Sequence, residues 1–481
     1  MRSNLLQKLV SYRTMKWQGK DALLIWAIVN CGTCQAAIPI KQTETAADKV
    51  QCMAQVEEVV TTFTPANNGA GPLWCYGSTV IARQGENVYL SVIETGKDIP
   101  PLCNTRWQLW RRNTDGWKLM QTEKEFRQRE PCPIAIFEKG PVFLSVNPST
   151  EPTGTQYGRC EPRVLEFDPQ NLDGTPKAHE PIWADGSYFT DHSYRGFAAD
   201  GTNGELLLAN INAKTGEQFV SCRDNDGQWH QKGKIKFPIR ACYPQVALRA
   251  GSAHVLAIGD IVEPVEQWRQ LKLEKLKSQW DYVFRRLFYT CTDNIRTAGF
   301  GEPIEIDTVE KTCGHIQNLD LYIDSNGAAH LLYLKRPHQY EFIRDKYFPG
   351  EPMTAHLEYV VVKAGKVVSH KTLVETSEGS SGLEPGFARF HVGPDEELYA
   401  IVAGTELGQK QRGFGNYIGQ IPAGSGRPSF ERVDLRHPFH NFFTNTPRGG
   451  SKPSDVIDLF GIADDSPNLR YARICLQSGG G

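Results

Sequence analysis

Residues able to bind and cleave a charged ring gather at four points of the sequence: His192-Ser193-Tyr194-Arg195, then Arg240 with Tyr243, then His315 with Gln317 and Asn318, and finally Arg389. The types complement one another, because a guanidinium forks onto a carboxylate, aromatic rings stack on sugar faces and amides fix orientation. Together they suit β-elimination next to a carboxylate, which needs a base for the proton, a cation for the enolate and an acid for the leaving oxygen. In that chemistry His192 or His315 is the base, Tyr194 or Tyr243 the acid, and Arg195 or Arg240 the carboxylate clamp. Gln317, Asn318 and Arg389 complete the binding set. A hydrolase would instead want paired carboxylates, for which Asp191, Asp320 and Asp455 are available. A non-catalytic glycan binder would use the same rings and arginines with no base at all. The bland alternative is that these side chains only satisfy loop carbonyls and water.

What must position them is a repeated hairpin. In GHIQNLDLYIDSNGAAHLLYL (Gly314 to Leu334), Leu319, Leu321 and Ile323 alternate with Asp320, Tyr322 and Asp324. Ser325-Asn326-Gly327 then supplies turn chemistry, and Ala329 to Leu334 reads as a second strand. The second strand recurs as NVYLSV, PVFLSV, ELLLAN, AHVLAI, AHLLYL, ELYAIV and LRYARI, starting at Asn87, Pro141, Glu205, Ala253, Ala329, Glu397 and Leu469. Such spacing holds four strands and their loops, so the chain is predicted to be all-β, a seven-bladed β-propeller of four-stranded antiparallel sheets over residues 74–476. VEEVVTTFT, within 37–73, is expected to complete the last blade and close the ring. In a propeller the residues just before each innermost strand line the mouth of the central channel. Here those are Ser78, Pro133, the four clusters above, and Asp455. Polarity is concentrated in blades three to six, so the ligand is expected off-centre over blades three to five.

Blade four carries an insertion, EPVEQWRQLKLEKLKSQWDYVFRRLFYT, in which Val265, Trp268, Leu271, Leu276 and Trp280 make a rough helical stripe. It is expected to pack as a cap, with residues 264–282 a candidate wall of the site. Asp115-Gly116-Trp117 and Asp224-Asn225-Asp226-Gly227-Gln228-Trp229 read as Asp-box-like turns whose role is structural.

The net charge of −2, with no long run of Lys or Arg, argues against nucleic acid as a partner. The apolar stretch ALLIWAIV (Ala22–Val29) is shorter than the roughly 20 residues that span a bilayer. With Arg2, Lys8, Arg13, Lys16 and Lys20 before it and Cys34-Gln35-Ala36 after it, residues 1–36 read as a signal peptide; the alternative is a buried N-terminal helix. Export to the periplasm or medium, as a monomer, is the expectation. Of twelve cysteines, Cys31 and Cys34 would leave with the signal. The rest contain no C-x-x-C pair, so a zinc ribbon is disfavoured and no metal or cofactor is assigned. Disulfides are expected, Cys75 with Cys103, Cys132 with Cys160, and Cys52 with Cys475, leaving Cys222, Cys242, Cys291 and Cys313 open; free buried thiols are the alternative.

DHSYRGFAADGTNGELLLANI, the insertion, the Gly314 hairpin and RGGSKPSDVIDLFGIADDSPNLRYARI together resemble the BNR-repeat-containing family of secreted bacterial propellers, over most of residues 75–476. The resemblance implies an extracellular, sugar-directed role, with ulvan-lyase-type propellers and, more distantly, sialidases as relatives. No complete His/Tyr/Arg lyase set and no sialidase arginine triad matches motif by motif, so the resemblance assigns no catalytic residue.

Overall fold

In a computed structural model, residues 49–74, 77–278, 281–408 and 413–477 are described. The proposed signal segment, Cys75 and Trp280 lie outside them. Seven four-stranded antiparallel sheets form, six in simple sequence order. Their innermost strands are Ile81–Gln84, Ile134–Ile136, Gly196–Asp200, Ala241–Arg249, His315–Ile323, Gly382–Val392 and Phe439–Thr444. Each innermost strand touches the innermost strands of its two neighbours, and the last touches the first, so the ring is closed. The outermost strand of blade seven is Cys52–Thr62, from the start of the chain, paired antiparallel with Asn468–Leu476. That pairing fastens one chain end to the other without a covalent bond.

Blade seven is offset by one strand from the repeat expected from sequence. LRYARI lies in the third strand of that blade; the second is Val456–Ala463. The innermost strand, Phe439–Thr444, reads FHNFFT and has no period-two pattern to mark it. Asp455 therefore precedes a second strand and does not sit at the channel mouth.

The apolar core is a set of layers between blades. Leu321 and Ile323 pack against Ala247 and Leu256 of blade four, whereas Tyr322 faces Phe390 and Ala400 of blade six. A strand sandwiched in this way has neighbours on both faces, which is why His315–Ile323 is buried almost throughout although His315, Gln317, Asn318 and Asp320 are polar. The alternation slips once. A bulge between Asn318 and Asp320 sends Leu319 to the blade-six side and turns Asp320 to the axis.

At the axis the channel is filled by side chains. Asp320, 1% exposed, is bonded by Arg448 through Nη2 at 2.8 Å and Nε at 3.0 Å, and accepts the Phe390 amide at 2.9 Å. Arg448 also donates to the Gly77 carbonyl at 2.9 Å and to Gln245 Oε1 at 3.0 Å, so one side chain ties blades one, four, five and seven. It rides on the turn Pro447–Gly449, capped by the Thr446 hydroxyl and ended by Gly450 at φ 86°. A Cβ on Gly450 would overlap the Ile136 carbonyl, so only glycine fits.

The insertion forms a two-stranded ribbon, Ile261–Val262 with Tyr282–Val283, and a helix, Glu266–Leu276. Trp268 and Leu271 pack on a second helix, Glu341–Tyr347, with Trp268 6.4 Å from Tyr347 and 6.1 Å from Phe348, ring to ring. The helix is a cap. Leu276, expected on its apolar stripe, is exposed.

None of the described cysteines forms a disulfide. Cys52 and Cys475 are barred by register: Met53 is opposite Cys475, so Cys52 projects from the other face of the sheet. Cys132 contacts Gln128 and Glu130, not Cys160.

Replacing Arg448 with Ala strands Asp320 as a buried unpaired carboxylate. The expected loss is about 3–5 kcal/mol of unfolding free energy, read as a fall in the urea midpoint; an unchanged midpoint would show that the axial pair does not hold the ring.

Candidate functional site

The innermost strands of blades three, four and five begin at the rim of a cavity of about 990 Å³. His192, Tyr194, Arg240, Tyr243, His315, Gln317 and Asn318 line it. The sequence therefore placed these seven on one surface. Trp74, Arg129, Tyr157, Tyr282, Phe284 and Asp260 line it as well, and nothing in the repeat pattern had singled them out. Trp74 precedes blade one, Arg129 lies between blades one and two, Tyr157 lies in the loop between the second and third strands of blade two, and Asp260, Tyr282 and Phe284 flank the insertion, places where hairpin periodicity carries no information. Lone aromatics in Gly- and Pro-rich loops, such as Trp74 after Gly69-Ala70-Gly71-Pro72, were the available signal.

Two tyrosines define the floor, and both have left-handed backbone: Tyr194 at φ 42° and Tyr243 at φ 51°. Bulky residues rarely adopt this conformation, so the surrounding structure must hold them there. For Tyr243 the cause is visible. The innermost strand of blade four bulges between Cys242 and Gln245, and Asn318 Nδ2 donates to the Tyr243 carbonyl at 2.7 Å. The next carbonyl, that of Pro244, lies against Gly77 so closely that no Cβ could fit there. The rings meet edge to face at 4.9 Å, and Trp74 stacks on Tyr243 at 6.4 Å. Burial, the largest cause, pushes both phenols well above the usual tyrosine range, so they keep their protons at neutral pH.

The charged groups are held in pairs. Arg240 binds the Asp260 carboxylate and lies over the Tyr194 ring, its guanidinium carbon 5.3 Å from the centroid. Burial opposes its charge, but Cys242, Asp260 and Tyr194 more than offset that and keep it cationic. Across the cavity Arg129 donates to Asp191 at 3.3 Å, to the Asn68 carbonyl at 2.9 Å and to His192 Nδ1. Since arginine can only donate, Nδ1 must accept, which leaves the His192 proton on Nε2. Tyr157 covers the same imidazole at 5.2 Å. His315 is different. Its ring meets Phe284 edge-on at 5.9 Å, and burial, with Arg336 and Arg285 nearby, lowers its pKa to about 4. It is therefore a neutral imidazole at pH 7.

Two predicted binding residues stand elsewhere. Arg195, 4% exposed, spends its guanidinium on the carbonyls of Ser145 at 2.9 Å and Pro131 at 2.8 Å. Arg389, 1% exposed, lies at the axis and donates to the Leu319 and Phe442 carbonyls. Both fasten blades: Arg195, immediately before the innermost strand of blade three, turns back onto blade two, and Arg389 lies deep inside the innermost strand of blade six. Among the carboxylates, Asp320 is consumed at the axis and Asp191 by Arg129.

No family model matches the chain, and no curated protein matches it, so the likeness to BNR-repeat propellers rests on the quoted segments. Among solved structures the chain is similar to an α-L-arabinanase of Penicillium chrysogenum complexed with arabinobiose, at 10% identity and TM-score 0.43 over 88% of this chain and 98% of that one. An α-L-arabinofuranosidase of Fusarium graminearum aligns at 9% and 0.39 over 88% and 98%. The propeller domain of the trilobed protease of Pyrococcus furiosus aligns at 11% and 0.41 over 84% and 95%. Likeness at this level transfers no activity.

Arg195→Ala strips two buried carbonyls of their donor and should lower the melting temperature by several degrees, while Gln317→Ala leaves it unchanged; equal melting by differential scanning calorimetry would return Arg195 to the site. pH supplies a second check. His254, His315 and His391 are each held near pKa 4 by burial, against 6.5 for the free side chain. Stability should be full above about pH 6.5 and fall as pH drops towards 4, because the unfolded chain takes up protons that the folded one refuses. A melting temperature flat across that window would contradict the burial of these rings.

Proposed function

We propose that the cavity holds a segment of an acidic polysaccharide and cleaves it by β-elimination. The observation that carries this reading is the company His315 keeps: a neutral imidazole shares one ring-walled cavity with two protonated tyrosines and a cationic Arg240. His315 takes the proton next to the uronate carboxylate. Arg240 sits on that carboxylate as charge moves onto it, and Tyr243 or Tyr194 gives a proton to the leaving oxygen. His192, with its proton on Nε2, acts as a hydrogen-bond donor and not as the base. Trp74, Tyr157 and Tyr282 supply faces for neighbouring sugars.

Hydrolysis by two carboxylates is less well supported, because Asp260 is the one carboxylate among the described lining residues, and Arg240 already binds it. A second reading, a glycan-binding propeller with no chemistry, is favoured by one fact: Arg129 and Arg240 are both engaged by aspartates, which leaves less free charge for an enolate. Either reading fits a protein that works outside the cytoplasm, as the signal-like start and the resemblance to secreted BNR-repeat propellers suggest. No helix among the described residues is long and apolar enough to cross a membrane.

The test is incubation with a panel of uronate polysaccharides, followed by the ultraviolet absorbance of the unsaturated product, with calorimetric titration in parallel. Absorbance should rise on at least one substrate, and His315→Ala should slow it by about 10²-fold or more. Silence with measurable binding would replace the lyase with the binder. Silence without binding would remove both.

A further inference from the structure

The loops joining the second and third strands of blades one and two meet on the cavity side of the ring, and each carries a buried cysteine. Cys103 is 3% exposed and Cys160 2%. The two loops are laced together: the Gly154 amide donates to the Leu102 carbonyl at 3.2 Å, and within the second loop Cys160 is bridged to Ser149. The side chains of Cys103 and Cys160 interact where the two loops pack. Leu102 at φ 74° and Cys103 at φ 53° make two consecutive left-handed residues, a costly turn that brings the Cys103 side chain to its partner.

We propose that Cys103 and Cys160 form a disulfide joining blades one and two, in place of the pairings expected from sequence order. With a low-molecular-weight disulfide as oxidant, the Cys103 thiolate attacks one of its sulfurs and releases one thiolate. Cys160, losing its proton, then attacks Cys103 Sγ of the mixed disulfide and releases the second. Two protein thiols are oxidised, one small disulfide is reduced, and both protons end on the released thiols. Because both sulfurs are buried once the loops pack, the exchange belongs to folding.

The position gives the bridge a purpose. Tyr157, which covers His192, is three residues before Cys160, and Asn104, next to Cys103, is bonded by Asn68 at 3.0 Å, which in turn accepts Arg129. The bridge would brace the cavity wall that holds Tyr157 and Arg129.

The full chain, folded in a mixture of reduced and oxidised glutathione, is alkylated, digested without reduction and read by mass spectrometry. A peptide pair linked through Cys103 and Cys160, lost on reduction and kept in a Cys132→Ser variant, is the expected result. Both cysteines recovered alkylated, or either one linked to Cys75 or Cys132, would overturn the proposal. Wild-type protein alone decides between these outcomes, so a variant that fails to fold does not blur the answer.

Discussion

Everything in this molecule is arranged around an ion pair on the axis, Arg448 with Asp320. Seven wedge-shaped sheets leave a channel that apolar side chains of one strand cannot fill. A long guanidinium reaching across it can satisfy carbonyls and acceptors from several blades at once. Arg448 bonds the Gly77 carbonyl, Gln245 and Asp320, and Arg389 adds Leu319 and Phe442. Such buried charges give little net stability over apolar filling, but with one partner removed the other is left uncompensated. They fix which blade faces which. A plugged channel also moves any ligand off the axis and onto the rim.

The rim cavity follows from departures from regular strand geometry. Innermost strands of blades four, five, six and seven bulge, at Cys242/Gln245, Asn318/Asp320, Pro385/Phe387 and Phe439/Asn441. The bulges of blades four and five re-aim side chains at the cavity, whereas blades six and seven contribute none of its described lining residues. In blade four this yields Tyr243, held by Asn318 from blade five, so one blade's amide sets the next blade's ring. The cavity is asymmetric because Trp74, Arg129 and Tyr157 arrive from loops on the far side, while the insertion contributes Tyr282 and Phe284 and its helix packs away as a cap.

Hairpin periodicity made the blade count and ring closure readable, since a strand between two neighbours must be apolar on both faces wherever it lies in the chain. It failed at FHNFFT, where His440, Asn441 and Thr444 in a short strand hide the pattern and shift blade seven by one strand. Residue type made His192, Tyr194, Arg240, Tyr243 and His315 readable as a group. The same reading misjudged Arg195 and Arg389, because sequence does not say whether an arginine points over the rim or into the ring. A bulge changes that by one residue, and bulges leave no mark in composition. The Cys52–Cys475 pair expected from ring closure fails for a related reason: the two are neighbours across a ladder, yet they project from opposite faces.

The central claim is that a sugar chain binds at the rim over blades three to five and nowhere on the axis. A crystal structure of the protein with a saturated oligouronide bound tests it most directly. The bound chain should lie against Tyr194 and Tyr243, with a carboxylate on Arg240 and His315 beside the adjacent ring carbon. An oligouronide seated on the opposite face, against Arg249 and Lys452, with the ring-lined cavity empty, would contradict it.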